Sequence, residues 1–423
     1  MVATEQPDDG GVSRALAVRL IGALRQGSNC LEAVTLFSAG RRPILNAAER
    51  LMEDLTFSGG SAVRWLKGTY GSGKTHIFAR LLDAAHLRGW IVSYIEITSK
   101  GQGCDLNRFE EVYAAIIRNC ITPDQARSTD AVARPGAENG WQWILDRWVD
   151  ALRKQAGGTA GGDLQTFRFT GVLDTTISQL RRTHGIQGAF SAALRAYAIA
   201  KVEHSAQQSE LLLEWFSGVN VFGQSSQVRK ELRAIGVLEV ITRRNAKAML
   251  RQVTAFARYR GHKGFLLLLD EVENVMHYTP GSRRIAYTIL RELIDNVDER
   301  HGMAQTLVYL SGTPDLFEGE KGITEHEALA SRVILTLSDP APNPAAAVVD
   351  LGTFPISRAD LIEIAQHIGM LYRTATPSAN LDGALDGDRL GALLPTGQFP
   401  SPRIWVRQIV DLLDRAAADS ANG

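Results

Sequence analysis

The sequence predicts an α/β fold in which a parallel sheet is flanked by helices, and three features of the chain support it. A short strand over residues 62–66 is followed by a glycine-rich loop and then by a helix over 74–86. A second strand over 90–97 completes a strand–helix–strand unit, whose strands are normally parallel. Further along, the apolar run FLLLL has the composition of a strand buried on both faces.

Composition sets limits on the class of protein. The chain has 423 residues, of which 45% are hydrophobic, enough for a substantial core. Lysine plus arginine number 46, as do aspartate plus glutamate, so the net charge gives no reason to expect a nucleic-acid or membrane partner. The polar N-terminal residues do not resemble a signal peptide, and the apolar stretches are too short to span a bilayer. We therefore expect a cytoplasmic protein.

The three cysteines, Cys30, Cys104 and Cys120, are too few and too scattered for a disulfide framework or a zinc site. We interpret them as buried or incidental thiols in a reducing compartment.

The pattern of elements divides the chain into three expected regions. Residues 1–60 form a helical segment. Residues 61–340 form the α/β core, with further strands at 264–269, 306–310 and 333–337 and a mostly helical insertion at about 105–260. We expect the aromatic residues of this insertion to be packing anchors and not a base-stacking surface. Residues 341–355 are rich in proline and alanine and are interpreted as a linker to a C-terminal helical lid that completes residues 341–423.

The glycine-rich loop fits the phosphate-binding pattern G-x-x-x-x-G-K-[ST] at every required position. Its glycines allow several backbone N–H groups to point at phosphate oxygens, and the following helix adds its N-terminal partial positive charge. We expect Lys74 to bind the β- and γ-phosphates and the Thr75 hydroxyl to bind Mg²⁺. The predicted nucleotide-binding residues of this segment are Gly68, Thr69, Tyr70, Gly71, Ser72, Gly73, Lys74, Thr75 and His76.

An acidic pair follows the apolar strand FLLLL. Asp270 is the expected Mg²⁺ ligand, directly or through water, and Glu271 is the expected general base for a water that attacks the γ-phosphate. Strands often end in solvated charge, but the accompanying phosphate loop favours the functional reading. Glu273 and Asn274 lie just beyond and are interpreted as surface residues or as supports behind the site.

Four further residues are candidates by position. Thr313, with Ser311 as second choice, follows the next strand and is expected to sense the γ-phosphate, although Ser-Gly-Thr-Pro is also ordinary turn sequence. Arg332 precedes the expected strand 333–337, from which it could reach the nucleotide of a neighbouring subunit. Arg403 opens a helix of the expected lid. Either arginine could instead be a surface salt-bridge partner.

A basic run without acidic residues lies between residues 241 and 269. It could follow a nucleic-acid backbone, or it could be a solvated helix face or a contact with an acidic partner, and we favour the latter readings. Its members are Arg243, Arg244, Lys247, Arg251, Arg258, Arg260 and Lys263.

The order of the motifs resembles that of the AAA+ superfamily of P-loop ATPases. It runs from the phosphate loop through the strand that ends in Asp-Glu and the polar sensor strand to an arginine before the last strand and an arginine in a helical lid. More narrowly, the chain is similar to the ATP-binding protein family of the BREX bacteriophage-defence systems. The similarity covers most of the chain from about residue 21 onward, and the segments that carry it are GTYGSGKTHIFARLL, NRFEEVYAAII, LLLLDEVENV, SGTPDLF and EALASRV.

This resemblance implies an AAA+ core with a helical lid, ATP and Mg²⁺ as ligands, and a role in defence against phage. It also implies that Arg332 acts as a finger on a neighbouring subunit and that Arg403 is a sensor in the lid. Gly40 and Arg41 resemble the Gly-Arg box that borders the adenine in initiator-like AAA+ proteins. The chain continues with Arg42-Pro43 where that box usually has an acidic residue.

The leading hypothesis is an ATP-hydrolysing motor, loader or regulator that acts as a homo-oligomer with other defence proteins. DNA is a further candidate partner, with weak support from the sequence, and no membrane partner is expected. The alternative is a slow nucleotide-dependent switch or scaffold that recruits partners with little turnover. A P-loop kinase is disfavoured because no acceptor-binding motif is evident.

Overall fold

The structure is a computed structural model that describes residues 12–27, 36, 39–99, 104–127, 140–157, 166–218, 226–298, 302–333, 341–381, 383–394 and 401–422. Within these residues the chain forms a six-stranded sheet with helices packed against both faces. The α/β fold expected from the sequence is confirmed. The strands are β1 Ala62–Lys67, β2 Trp90–Glu96, β3 Cys120–Ile121, β4 Gly264–Asp270, β5 Thr306–Gly312 and β6 Val348–Asp350.

The α-helices occupy four parts of the chain. Two precede the sheet, α1 Arg14–Gln26 and α2 Arg42–Ser58, and α3 Lys74–Leu87 joins β1 to β2. Between β2 and β4 lie α4 Phe109–Arg118, α5 Pro123–Arg127, α6 Gly140–Gln155, α7 Thr166–Thr183, α8 Gly188–Val202, α9 Ala206–Ser217, α10 Ser226–Ala234 and α11 Ala246–Tyr259. The remainder are α12 Pro280–Asp298, α13 Pro314–Glu318, α14 Glu327–Val333, α15 Arg358–Ala375, α16 Gly387–Leu393 and α17 Pro402–Asn422.

The strand order in the sheet is β3-β2-β4-β5-β1-β6. Each pair of neighbours is parallel except β2 and β3, which are antiparallel. The chain leaves β1 toward β2 on one side and returns to the other side of β1 with β6. Ligands of open α/β sheets bind at the carboxyl ends of the strands, where such a change of direction occurs.

The apolar strand β4 is buried on both faces, as its sequence predicts. Phe265, Leu267 and Leu269 pack into a core with α4 and the helices that follow it, whereas Leu266 and Leu268 pack against α2 and α3. This alternation follows from the two-residue period of a strand. Burial of all seven residues of β4 fixes the position of Asp270, with which the strand ends.

The helices between β2 and β4 share their core with one face of the sheet. Their aromatic residues form a buried cluster in which Trp141 lies 5.9 Å from Phe216 and 5.7 Å from Phe256, measured between ring centroids. The expectation that the aromatic residues here are packing anchors is confirmed for Trp141, Trp148 and Trp215, each at most 2% exposed.

A third core joins the two ends of the described chain. Leu20 and Leu24 of α1 pack with Ile364 and Ile368 of α15 and with Trp405 of α17. The Trp405 indole N–H donates to the Leu361 carbonyl oxygen at 2.8 Å. The helical segment expected for residues 1–60 contains two helices with different surroundings, because α1 packs with the C-terminal helices and α2 packs on the sheet.

The last strand differs from the prediction. Val333, expected to open a strand, is the final residue of α14, and residues 334–337 lie outside the described part of the chain. Instead, Val348–Asp350 pairs with β1, inside the segment expected to be a linker. Three residues are too few to show a strand period, and the flanking prolines and alanines indicate loop. Of the cysteines, Cys120 is buried, Cys104 is partly buried and Cys30 is not described.

Candidate nucleotide-binding site

The glycine-rich loop lies between β1 and α3, as expected. Gly71 and Gly73 have φ values of 75° and 94°, in the left-handed region that other residues rarely adopt. A Cβ atom on Gly68 would lie 2.5 Å from the Ser72 hydroxyl oxygen. The glycines are therefore required by the loop's shape, and α3 begins at Lys74, directly after it. Its first N–H groups and its dipole favour an anion at this position.

The Lys74 ammonium is folded against this loop. Its Nζ donates to the carbonyl oxygen of Gly68 at 2.9 Å and to that of Thr69 at 3.3 Å. The Tyr70 ring centroid lies 5.5 Å from Nζ. Burial lowers the pKa of Lys74, and the negative charge of Glu273 acts in the opposite direction. The ammonium is thus a buried cation beside backbone groups that suit a phosphate.

Asp270 connects the loop to the neighbouring strands. The Thr75 hydroxyl donates to its Oδ2 at 2.8 Å, and the Tyr94 hydroxyl donates to the same atom at 2.9 Å. The Ser311 hydroxyl donates to Oδ1. The predicted pair Thr75 and Asp270 is therefore in direct contact, and Tyr94 is a contributor that the sequence did not reveal.

Glu271 has an uncommon backbone conformation, with φ of 56°. Its N–H donates to Asp270 Oδ1 at 3.0 Å, and its Oε2 accepts from the Asn274 amide at 3.2 Å. That amide also donates to the Ile97 carbonyl oxygen at 2.8 Å. Burial, and then the negative charge of Glu271, raise the pKa of Glu96 at the end of β2. The carboxylate expected as general base is thus held by Asn274 at the strand end.

Of the two expected sensors, the second choice is the one that contacts the acidic pair. Leu310 is the register partner of Leu269, so Ser311 lies beside Asp270. Thr313 lies beyond the strand, where its carbonyl oxygen accepts from Leu316 at the start of α13. The strand β5 continues to Gly312, beyond the expected end at residue 310, so that Ser311 belongs to the strand. The expected role of Thr313 stays a prediction.

Gly40 and Arg41 border the loop from the side of α2. Arg41 Nη1 donates to the Ser72 carbonyl oxygen at 2.6 Å, and Nε donates to that of Phe354 at 3.1 Å. Burial lowers the pKa of Arg41 to about 10. Gly40 has φ of 81°, and a Cβ atom there would lie 2.9 Å from the Asp360 carboxyl carbon. This pair therefore ties the loop to the segment that leads into α15.

A cavity extends from the phosphate loop to the helices of the third core. Arg403 of α17 lines it, with its Cβ 3.5 Å from the position that a Cβ on Gly71 would take. His76 also lines it, and burial lowers the pKa of His76 to about 4, so that the ring is neutral at pH 7. The apolar wall consists of Leu24, Ala39, Leu45, Ile356, Ile364 and Val406. One end of the cavity thus suits phosphates and the other suits an apolar or aromatic group.

Arg332 is not brought to this cavity. Its Nε pairs with an Asp295 carboxylate oxygen at 2.5 Å, and its Nη1 donates to the Ala328 carbonyl oxygen at 2.6 Å. The side chain is 38% exposed. The residue belongs to α14 and not to the start of a strand, which explains why it points to α12. Its expected action on a neighbouring subunit stays a prediction.

The basic run does not form a continuous free surface. Lys247 forms an ion pair with Glu292, and burial lowers the pKa of Arg258 and that of Arg260. Lys247 is thus engaged within the protein, and the readings given for the run as a whole stay predictions.

Glu273, interpreted from the sequence as a surface residue or a support behind the site, lies in the site and not on the surface. It is 3% exposed and lines the cavity, and its Oε1 lies 3.9 Å from Lys74 Nζ. The segment Val272–His277 is a 3₁₀-helix. Glu273 lies in its first turn, and an acidic residue so soon after the acidic end of β4 is the signal that could have found it.

A comparison with protein families was decisive for identity. Residues 12–421 match the model of the family described as BREX system ATP-binding protein BrxC/D. The chain belongs to this family. The BrxC/D match includes each of the residues discussed above, from Gly40 to Arg403, and the family resemblance stated from the sequence is confirmed. No curated protein matches the chain.

The BrxC/D description names ATP as ligand, and the cradle, the buried lysine and the apolar cavity wall are suited to it. Among the described residues, none of the helices combines the length and apolar character needed to cross a lipid bilayer.

Proposed function

We propose that this BrxC/D protein binds ATP with Mg²⁺ and hydrolyses it, and that it acts as a motor, loader or regulator in an anti-phage defence complex. The observation that carries the proposal is the hydrogen bond between Thr75 and Asp270, at 2.8 Å. It brings the phosphate loop and the acidic end of β4 together, as the chemistry of phosphoryl transfer from a nucleotide requires.

The donor set around Asp270 fits Mg²⁺. The described residues hold no group of three His, Cys, Asp or Glu side chains that could bind a metal by itself. Mg²⁺ at nucleotide sites usually takes one or two protein oxygens and completes its shell with water and phosphate oxygens. Thr75 and Asp270 would supply those protein oxygens, and the ion would neutralise charge on the phosphates. Ser311 and Tyr94 hold the Asp270 carboxylate in place.

The remaining steps fall to side chains of the chain itself. The Lys74 ammonium leaves its loop carbonyls and binds the β- and γ-phosphates, while the loop's N–H groups hold the phosphate oxygens. Glu271 accepts a proton from the attacking water, whose oxygen bonds to the γ-phosphorus as the bond to the β-phosphate oxygen breaks. The products are ADP and inorganic phosphate.

The nucleoside end of ATP fits the apolar part of the cavity. We assign the base to the wall made by α1, α2, α15 and α17, with Gly40 and Arg41 at its border. Arg403 lines the cavity near Gly71, and we assign it to the phosphates. In this arrangement residues 61–340 and β6 form the ATPase core, the helices at about 105–260 are an insertion, and the helices after β6 act as a lid.

Arg332 requires a second copy of the chain for the role we assign to it. Its guanidinium is partly exposed and paired with Asp295. A neighbouring nucleotide would compete with that carboxylate for the guanidinium, so the finger would act only in an assembled homo-oligomer. Other defence proteins and DNA are candidate partners of this assembly.

One observation favours the slower alternative. Asn274 holds the Glu271 carboxylate by a hydrogen bond of 3.2 Å, and this contact must break or turn before Glu271 can reach a water. A chain in which it persists would bind ATP and recruit partners with little turnover.

The test is ATP hydrolysis by wild type, Lys74→Ala and Glu271→Gln, with and without duplex DNA, beside a mass measurement with nucleotide bound. Hydrolysis requires that wild type releases ADP and phosphate, that Lys74→Ala loses nucleotide binding, and that Glu271→Gln binds ATP without turning it over. Wild type that binds ATP but has negligible turnover under each condition supports the switch. Failure of wild type to bind ATP refutes both.

A further inference from the structure

Glu273 is a buried carboxylate that receives no hydrogen bond from another described residue. It is 3% exposed, and neither Oε1 nor Oε2 accepts a hydrogen bond from another described residue. The Lys74 ammonium is its nearby counter-charge, at 3.9 Å from Oε1, which is beyond hydrogen-bond length. A buried carboxylate without donors destabilises a fold unless a charge compensates it. The role of Glu273 is therefore linked to the Lys74 ammonium.

The surroundings of Lys74 indicate what the role of Glu273 is. Two of the three ammonium hydrogens are directed at the carbonyl oxygens of Gly68 and Thr69, at 2.9 and 3.3 Å. The carboxylate of Glu273 attracts the ammonium from outside the loop. A lysine has a flexible four-carbon stem and many rotamers, so fixed charges around it narrow its range. Burial lowers the pKa of Lys74, and three carboxylates act against this lowering. Glu273 has the largest effect of the three, ahead of Asp270 and Glu271.

Backbone geometry also holds Glu273 in this position. The 3₁₀-helix Val272–His277 begins directly after Glu271, and Val272 and Val275 on either side are buried in the sheet's core. This packing fixes the backbone on both sides of Glu273. Burial raises the pKa of Glu273, and the charge of Lys74 acts against this rise. The two side chains thus form a buried ion pair that lines the cavity, with their charged atoms too far apart for a hydrogen bond.

We propose that Glu273 is a positioning residue for Lys74, whose charge holds the ammonium in one orientation toward the γ-phosphate. The inference rests on the proposed ATP hydrolysis and extends it by one residue. Glu273 acts through Lys74 and not on the phosphate. Its attraction needs no hydrogen bond, so it persists when the ammonium leaves the loop carbonyls for the nucleotide.

The test is Glu273→Gln, which keeps the length of the side chain and removes its charge. Misplacement of a group that contacts the reacting phosphate lowers kcat by about 10- to 100-fold. We expect this loss, with a change of less than about threefold in KM for ATP, because the effect lies on the transition state. The thermal midpoint without nucleotide should fall, because the substitution leaves the buried Lys74 ammonium without its nearby counter-charge. Glu273→Asp, which withdraws the carboxylate by one methylene, should give an intermediate kcat.

Glu110→Gln is the matched control. Glu110 on α4 is 7% exposed, its Oε2 has no hydrogen-bond partner among the described residues, and its Oε1 lies 3.8 Å from Arg108 Nε. It does not line the cavity. The same chemical change at a similarly buried carboxylate should leave kcat unchanged.

Three results would overturn the inference. A Glu273→Gln variant with wild-type kcat removes the positioning role and leaves the proposed function standing. A lower thermal midpoint with unchanged kcat shows a structural residue instead. A wild-type protein that hydrolyses no ATP overturns the proposed hydrolysis, and the inference with it.

Discussion

Replacing Asp414 by asparagine removes the charge that holds α1 against α17. Arg25 of α1 donates to Asp414 twice, from Nε to Oδ2 at 2.8 Å and from Nη2 to Oδ1 at 2.7 Å. The Tyr372 hydroxyl of α15 donates to Oδ1 at 2.7 Å. One carboxylate therefore joins three helices that pack around the third core and line the cavity.

The expected loss follows from this geometry and from exposure. The side chain of Arg25 is 52% exposed and that of Asp414 is 31% exposed, so solvent screens the pair. Exposed ion pairs contribute about 0.2–1 kcal/mol, and a bidentate arginine pair with an added hydroxyl lies at the upper end. We expect Asp414→Asn to lower the free energy of unfolding of the helices around α17 by about 1 kcal/mol.

Urea-induced unfolding measures this loss, with Asp411→Asn as control. Asp411 lies on the same helix and pairs with Arg415 at 2.6 Å, but the pair is local and its side chains are 61% and 75% exposed. The control should cost less than about 0.5 kcal/mol, as for other pairs four residues apart on a helix. Equal losses from the two substitutions would refute the reasoning.

The pH dependence gives a second check. The hydrogen bonds from Arg25 hold the pKa of Asp414 below its ordinary value. A carboxylate with a lowered folded-state pKa stabilises the fold above its unfolded pKa, about 3.9, and this contribution is lost as the pH falls through the folded pKa. The difference in free energy of unfolding between wild type and Asp414→Asn should therefore be constant near neutrality. It should disappear on acidification below about pH 3.9.

Three further predictions concern the cavity and the finger. Arg403→Ala should weaken ATP binding about tenfold in a titration, without loss of thermal stability, because the side chain is exposed. Ser311→Ala removes a donor to Asp270 and should lower turnover about tenfold, whereas Thr313→Ala should have little effect. Arg332→Ala should lower turnover only at protein concentrations that allow self-association, since its contact within the chain is with Asp295; turnover equal to wild type there would remove the finger role.

The sequence was sufficient for the centre of the sheet because each core strand there carries its own signal. The run FLLLL can be satisfied only by burial on both faces, and the glycines of the phosphate loop fix the turn between β1 and α3. By contrast, β6 has three residues and is specified by its pairing with β1, a contact that no local pattern reveals.

The site could be predicted where the residue type alone implies the chemistry, as for Lys74, Thr75 and Asp270. The positions of Tyr94 and Glu273 in the site were not predicted, because they depend on neighbours that are distant in sequence. Tyr94 reaches Asp270 because β2 pairs with β4, and Glu273 lies near Lys74 in the first turn of the 3₁₀-helix that follows β4. Tyrosines and glutamates are also common on protein surfaces, so the residue type alone gave no signal for either side chain.

The packing of α1 against α17 has a consequence for synthesis. Arg25 and Asp414 are separated by 389 positions along the chain, yet their helices build one wall of the nucleotide cavity. The ribosome completes the phosphate loop hundreds of residues before α17, so a nascent chain that has not yet reached α17 lacks one wall of the cavity. On a translating ribosome, tight retention of ATP would therefore begin only once α17 has emerged and packed against α1.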